Sequence, residues 1–255
     1  MLATPSASGV AALARKLIRW VSIYAGIGQD DSMRANPSLY DRMTPWVLLC
    51  ALLCCYPLSQ AIPPAWVWEN GIVEEGDVLV LSIGWAWAVA SWLRDRPAPA
   101  ALLARSVMPL WVLLIGREMS WGAVLFAPDR MTAAGPVFTS HHLWYRPFVT
   151  PLLAALLAWS AWSAWRCRLD RQLYAVLARG RFPWMALLVV LAAALGSSCA
   201  EEHVHACLVT LPGQRFEELA ELVGYVALVA VQARVLAECR TRTATLAPAA
   251  TAPVH

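Results

Sequence analysis

Between Cys199 and Glu221 the chain sets five carboxylates, Glu201, Glu202, Glu217, Glu218 and Glu221, beside two imidazoles, His203 and His205. The apolar runs 182–200 and 222–236 flank this stretch. Acids and imidazoles at the mouth of hydrophobic helices are costly, so they need either a partner or a task. Another apolar run ends in Arg117-Glu118-Met119-Ser120-Trp121-Gly122, and His141-His142 follows further on. The carboxylates Glu118, Glu218 and Glu221 with His141, His142, His203 and His205 are candidate ligands for a divalent metal such as zinc. Such an ion would activate water against a lipid or a lipid-linked substrate. Glu118 and Glu221 are the candidate catalytic acids or bases, and Ser120 is a candidate oriented hydroxyl. The structural alternative gives the acids a cation of the chain itself, Arg117 or Arg146, in an ion pair that holds helices together. Adjacent side chains on extended chain point to opposite sides, so at most one of His141 and His142 faces the site, and the alternative is two headgroup-level histidines near Trp144 and Tyr145.

Cys199-x3-His203-x-His205-x-Cys207 has three readings. Zinc takes two thiolates and two imidazoles tetrahedrally, but this spacing is compressed. An oxidising outer compartment favours a Cys199–Cys207 disulfide that leaves both histidines free. Free thiols are the third reading.

These residues belong to a membrane protein. The 255 residues are 59% hydrophobic and 15% charged, where soluble domains carry roughly 25% charged residues. Fourteen tryptophans against one lysine suit the headgroup level. The net charge of +3 is dispersed and forms no aromatic-interleaved basic patch, which argues against nucleic acid as a partner. No phosphate-binding loop, nucleophile elbow or haem-attachment motif occurs.

The fold class is all-α, a polytopic membrane helix bundle. Six spans are expected, since each needs ~20 mainly apolar residues. They are Pro45–Ile62, Asp77–Leu93, Ala100–Glu118, Phe148–Trp165, Phe182–Ala200 and Phe216–Leu236. Residues 1–42 form a cytoplasmic segment in which apolar positions from Val10 to Tyr24 recur at helical spacing beside Arg15, Lys16 and Arg19. That pattern predicts an amphipathic helix, either on the membrane surface or packed on the protein's own face. Residues 43–240 form the membrane domain, and the Thr-, Ala- and Pro-rich residues 241–255 are expected to be a disordered tail.

Sixteen of the 20 basic residues fall on one side of these spans, which puts both chain ends in the cytoplasm. Eleven of the 17 acids and every histidine except His255 fall on the other side. Glu118 lies 13 residues beyond Arg105, and Glu221 lies 13 residues before Arg234. Each interval is ~20 Å of helix, so the two glutamates are expected at matching depth. The expectation is an outward-opening funnel with Glu118 and Glu221 on its floor and Asp77, Glu201, Glu202 and the histidines at its rim.

The pairing of Glu118-x-Ser120-Trp121-Gly122 with Phe216-Glu217-Glu218-Leu219 resembles a group of uncharacterised bacterial multi-pass membrane proteins. That resemblance implies the bacterial inner membrane and a shared bundle over spans two to six, and it carries no activity. A looser similarity is to membrane hydrolases of the alkaline ceramidase type, whose histidine spacings this chain lacks.

Two function classes follow: a metal-dependent hydrolase, or a non-catalytic subunit, sensor or scaffold that meets protein partners through the acidic face. A transporter is disfavoured because 108–115 and 226–231 carry no polar group into the inner half. The topology is checked with a reporter fused after Arg240, which should be active only as a cytoplasmic fusion. Periplasmic activity there would reverse the orientation.

Overall fold

A computed structural model of the protein describes residues 39–96, 98–132, 135–178, 182–200 and 213–246. The expected amphipathic helix and Glu201, Glu202, His203, His205 and Cys207 lie outside the described residues.

The chain runs through α1 (Leu39–Ala61), α2 (Ile72–Arg94), α3 (Pro99–Glu118), a hairpin of β1 (Arg130–Thr132) and β2 (Gly135–Val137), then α4 (Arg146–Arg166), α5 (Leu169–Ala178), α6 (Trp184–Ala200) and α7 (Gly213–Leu246). Five helices, α1 to α4 and α7, are long and apolar enough to cross a membrane. The sixth expected span is present as α6, apolar but only 17 residues long. The chain is therefore a helical membrane bundle. Three elements were not expected: the hairpin, the short helix α5 in the basic connection after α4, and the length of α7. Its 34 residues span ~51 Å, more than a ~30 Å hydrocarbon core. Its last six, Thr241–Leu246, are helical where a disordered tail was expected.

Helix α7 is the axis of the bundle. It packs against α1, α2, α3, α5 and α6. Of its apolar stretch 61% is buried, against 17% for α4, which lies at the periphery. Apolar burial does not drive helices together in lipid, so close packing and polar bonds must do so. The sequence supplies both. Helix α6 buries Ala186, Val189, Ala193, Ser197 and Ala200 along one helical stripe. Facing it, α7 buries Ala220, Ala227 and Ala230, and a Cβ on Gly224 would come within 3.0 Å of the Ala193 Cβ. Small residues on both sides let the backbones approach.

Polar bonds fix α7 to α2 and α3 at two levels below the acidic end. In mid-bundle, Gln232 donates Nε2–H to the Gly84 carbonyl at 2.9 Å, and its own oxygen accepts the indole N–H of Trp111. At the basic end, Arg240 donates to Asp95 at 2.6 Å and to the Ser91 hydroxyl at 2.8 Å. The middle level requires glycine at 84, because a Cβ there would sit 2.6 Å from the Trp111 ring.

Gly84→Ala should therefore destabilise the bundle by ~1–3 kcal/mol, the usual range for overpacking. Gly76→Ala is the control, since a Cβ at Gly76 meets only Leu222 Cδ1 at 3.8 Å. Thermal unfolding in detergent should separate the two variants, and equal midpoints would refute the packing argument.

Candidate functional site: an acidic cluster between packed helices

Helix α3 ends on Arg117 and Glu118, and the chain then reverses through left-handed backbone. Ser120 has φ +44°, Trp121 +56° and Gly122 +91°. Non-glycine residues in that region cost ~1–3 kcal/mol each and persist only where the surroundings impose them. The imposing contacts are visible. The Trp121 ring folds back onto Gly116, where a Cβ would lie 2.7 Å from it, and Tyr145 donates its hydroxyl to the Trp121 carbonyl at 2.8 Å. The reversal fixes how the last turn of α3 faces α7.

That turn presents Arg117 to two helices. Its Nη2 lies 2.6 Å from Glu221 Oε1, and its Nη1 lies 3.5 Å from Glu118 Oε1. The same Nη1 donates to Tyr225 Oη at 3.0 Å, and Tyr225 in turn donates to Glu118 at 2.6 Å. Ser197 on α6 donates to Glu221 at 2.7 Å. Three helices thus meet in one bonded network. Glu118 and Glu221 are largely enclosed there, while half of the Arg117 side chain remains exposed. The guanidinium is the network's opening toward its surroundings.

Three further carboxylates stand near this network. Glu74 and Asp77 come from the start of α2, and Glu218 lies one turn before Glu221. Asp77 is in electrostatic range of Glu74, Glu118, Glu218 and Glu221. Glu218 interacts with Glu74, Glu118 and Glu221, and with Arg117 in the opposite sense. Glu74 accepts a hydrogen bond from the Asn70 N–H. Asp77 is different: it is 0% exposed, and neither carboxylate oxygen has a hydrogen-bond partner among the described residues. A buried carboxyl group without a partner is costly in either protonation state, since the ionised form is uncompensated charge and the neutral form still forfeits its hydrogen bonds. The expected position of Asp77 on an open rim is therefore corrected. Helix α2 begins at Ile72, five residues earlier than expected, and this carries Asp77 inside the bundle.

The other candidates distribute as follows. Arg146 starts α4; its Nε is buried without a hydrogen-bond partner, and the ion pairs to Glu118 and Glu221 come from Arg117 instead. Arg215, another available cation, donates to the Ser59 and Ile62 carbonyls at the end of α1. Ser120 lies in the reversal, and the bonds of the network do not include it. His141 is exposed in a one-turn helix, Ser140–His142. Cys199 is disulfide-bonded, and the cysteines described as free are Cys50, Cys54, Cys55, Cys167 and Cys239. Among the described residues no three His, Cys, Asp or Glu side chains converge as a metal ligand set. Ser197 and Glu74 had no place in the expected site. The buried stripe of α6, on which Ser197 falls, was the signal that could have found it.

No protein-family model matches this chain, and it matches no curated protein and no solved structure.

The network makes a coupling prediction. Arg117→Gln and Glu221→Gln should each destabilise, and their double-mutant cycle should show ~0.5–3 kcal/mol of interaction. Tyr225→Phe should cost ~1.5–3 kcal/mol, the range for a hydrogen bond to a charged group. Additive effects of the Arg117 and Glu221 substitutions in thermal unfolding would mean that the pair is not coupled.

Proposed function

We propose that the protein is a multi-pass protein of the bacterial inner membrane, both chain ends cytoplasmic, that takes a divalent cation into an outward-facing acidic cluster between α2, α3 and α7. One observation carries this reading: Asp77 is enclosed beside four other carboxylates and has no hydrogen-bond partner among the described residues. Arg117 already serves Glu118 and Glu221. The remaining acids, Asp77 and Glu218 with Glu74 at the edge, are the groups that would hold an ion. A magnesium-like ion can bind through as few as one or two carboxylates, so it does not require three converging ligands. When bound, a divalent ion would supply an acidified water for hydrolysis of a lipid or lipid-linked substrate. The chain's own residues orient the site: Tyr225 and Ser197 fix the two glutamates, and Arg117 sets the charge at the entrance.

The second reading is a non-catalytic subunit or scaffold. It is favoured by the completeness of the Arg117 network, which ties α3, α6 and α7 together without any ligand.

Thermal unfolding with added magnesium, calcium, manganese or zinc at constant ionic strength distinguishes them. A cation site predicts that one of these ions stabilises the wild type, by ~2.7 kcal/mol at a hundredfold excess over Kd. Asp77→Asn should abolish that shift while raising the ion-free stability, because a carboxylate repelled by its neighbours is gone. A wild type indifferent to all four ions, with Asp77→Asn again more stable, would assign the acids to the scaffold reading.

A further inference from the structure

At the opposite, basic end of the bundle, two guanidinium groups lie over indole rings. The Arg105 Cζ is 5.3 Å from the Trp159 ring centroid, and the Arg166 Cζ is 5.5 Å from that of Trp162. The two indoles meet edge to face at 6.5 Å and 73°. A continuous ladder, Arg105–Trp159–Trp162–Arg166, therefore crosses from α3 to α4. Its register is set one residue away on each helix, where Ser160 donates its hydroxyl to the Ser106 carbonyl at 2.6 Å.

Neither arginine has a carboxylate partner among the described residues. The nearby acid Asp95 is occupied by Arg94 and Arg240. Asp170 on α5 is exposed and stands among the exposed Arg166, Arg168 and Arg171. Arg105 lies in the second turn of α3, ~9 Å along the helix from Pro99. Arg105 is half-buried and meets no carboxylate among the described residues, so an anion from outside the chain would complete its charge. The ladder also faces outward: α4 is the peripheral span, and Trp159, Trp162 and Trp165 are 47%, 46% and 77% exposed.

We propose that the α3–α4 face at the basic end binds the headgroup of an anionic phospholipid, with Arg105 and Arg166 at the two ends of the ladder supplying its cationic contacts. Guanidinium forks match phosphate oxygens geometrically, and basic pockets between spanning helices on the cytoplasmic side suit acidic headgroups. The tryptophans hold both forks by cation–π attraction and lie against the acyl chains, as interfacial indoles do. This site is independent of the acidic cluster.

Native mass spectrometry of the detergent-solubilised protein, mixed with equal amounts of phosphatidylglycerol and phosphatidylcholine of identical acyl chains, tests the proposal. The wild type should retain the anionic lipid at least tenfold over the zwitterionic one. Arg105→Gln with Arg166→Gln should bring that ratio close to one. Arg166→Gln alone, at an exposed helix end, should lower it at least threefold and keeps the test open if the double variant fails to fold. Arg130→Gln, on the hairpin, should leave it unchanged. Equal retention of both lipids by the wild type, or a preference that survives in Arg166→Gln and the double variant, would overturn the assignment. So would a wild type that appears as a dimer without lipid preference, since the face would then belong to a second copy.

Discussion

One guanidinium holds the acidic end of this bundle together. Arg117 sits between Glu118 of its own helix and Glu221 of α7, with Tyr225 bridging the two. Without it, two enclosed carboxylates would repel each other across the α3–α7 seam, and Tyr225 would lose one of its two partners. The backbone around it follows from this demand. The left-handed reversal at Ser120 to Gly122 ends α3 at the turn that presents Arg117, and Trp121 on Gly116 and Tyr145 on the Trp121 carbonyl hold that reversal. Strain in two consecutive residues, Ser120 and Trp121, accompanies the placement of this one charge.

The same logic continues down α7. Its polar residues Glu221, Gln232 and Arg240 each bond to α2 or α3, at intervals of ~16 Å and ~12 Å along the helix axis. Between them the seam is built of small and apolar groups. Lipid offers no hydrophobic drive for helices to associate, so these separated rungs specify the register that packing alone would leave free. The basic end repeats the principle with different chemistry: there the guanidinium groups of Arg105 and Arg166 rest on indoles and lack an acid among the described residues.

Much of this was legible in the sequence because helices convert residue counts into depth. Equal intervals from Arg105 to Glu118 and from Glu221 to Arg234 placed the two glutamates at one level, and they do share one cation. Arg117 was one of two named cations, and only distances could choose it over Arg146. Apolar runs located the helices but not all their ends: α1 starts six residues before the expected Pro45, and α7 runs ten past the expected Leu236. Helix starts were less legible, since acids such as Glu74 and Glu75 suit the first turn of a helix as well as a preceding loop. That ambiguity put Asp77 on the rim when it is enclosed. The hairpin rests on long-range contacts, such as Glu69 accepting from the Phe138 N–H at 2.7 Å, which no local pattern announces. Ser197 looked like one more small residue in an apolar helix until its bond to Glu221 gave it a role.

The proposed cation site rests on Asp77, which is enclosed and has no hydrogen-bond partner among the described residues. The most direct measurement is an experimental structure of the protein soaked in manganese, with anomalous scattering locating the ion. The proposed site predicts an anomalous peak at direct or one-water distance from the Asp77 carboxylate, on the side facing Glu218, with the Arg117 network intact. A density map with no ion there, and with the Asp77 carboxyl hydrogen-bonded directly to a neighbouring carboxylate, would contradict it.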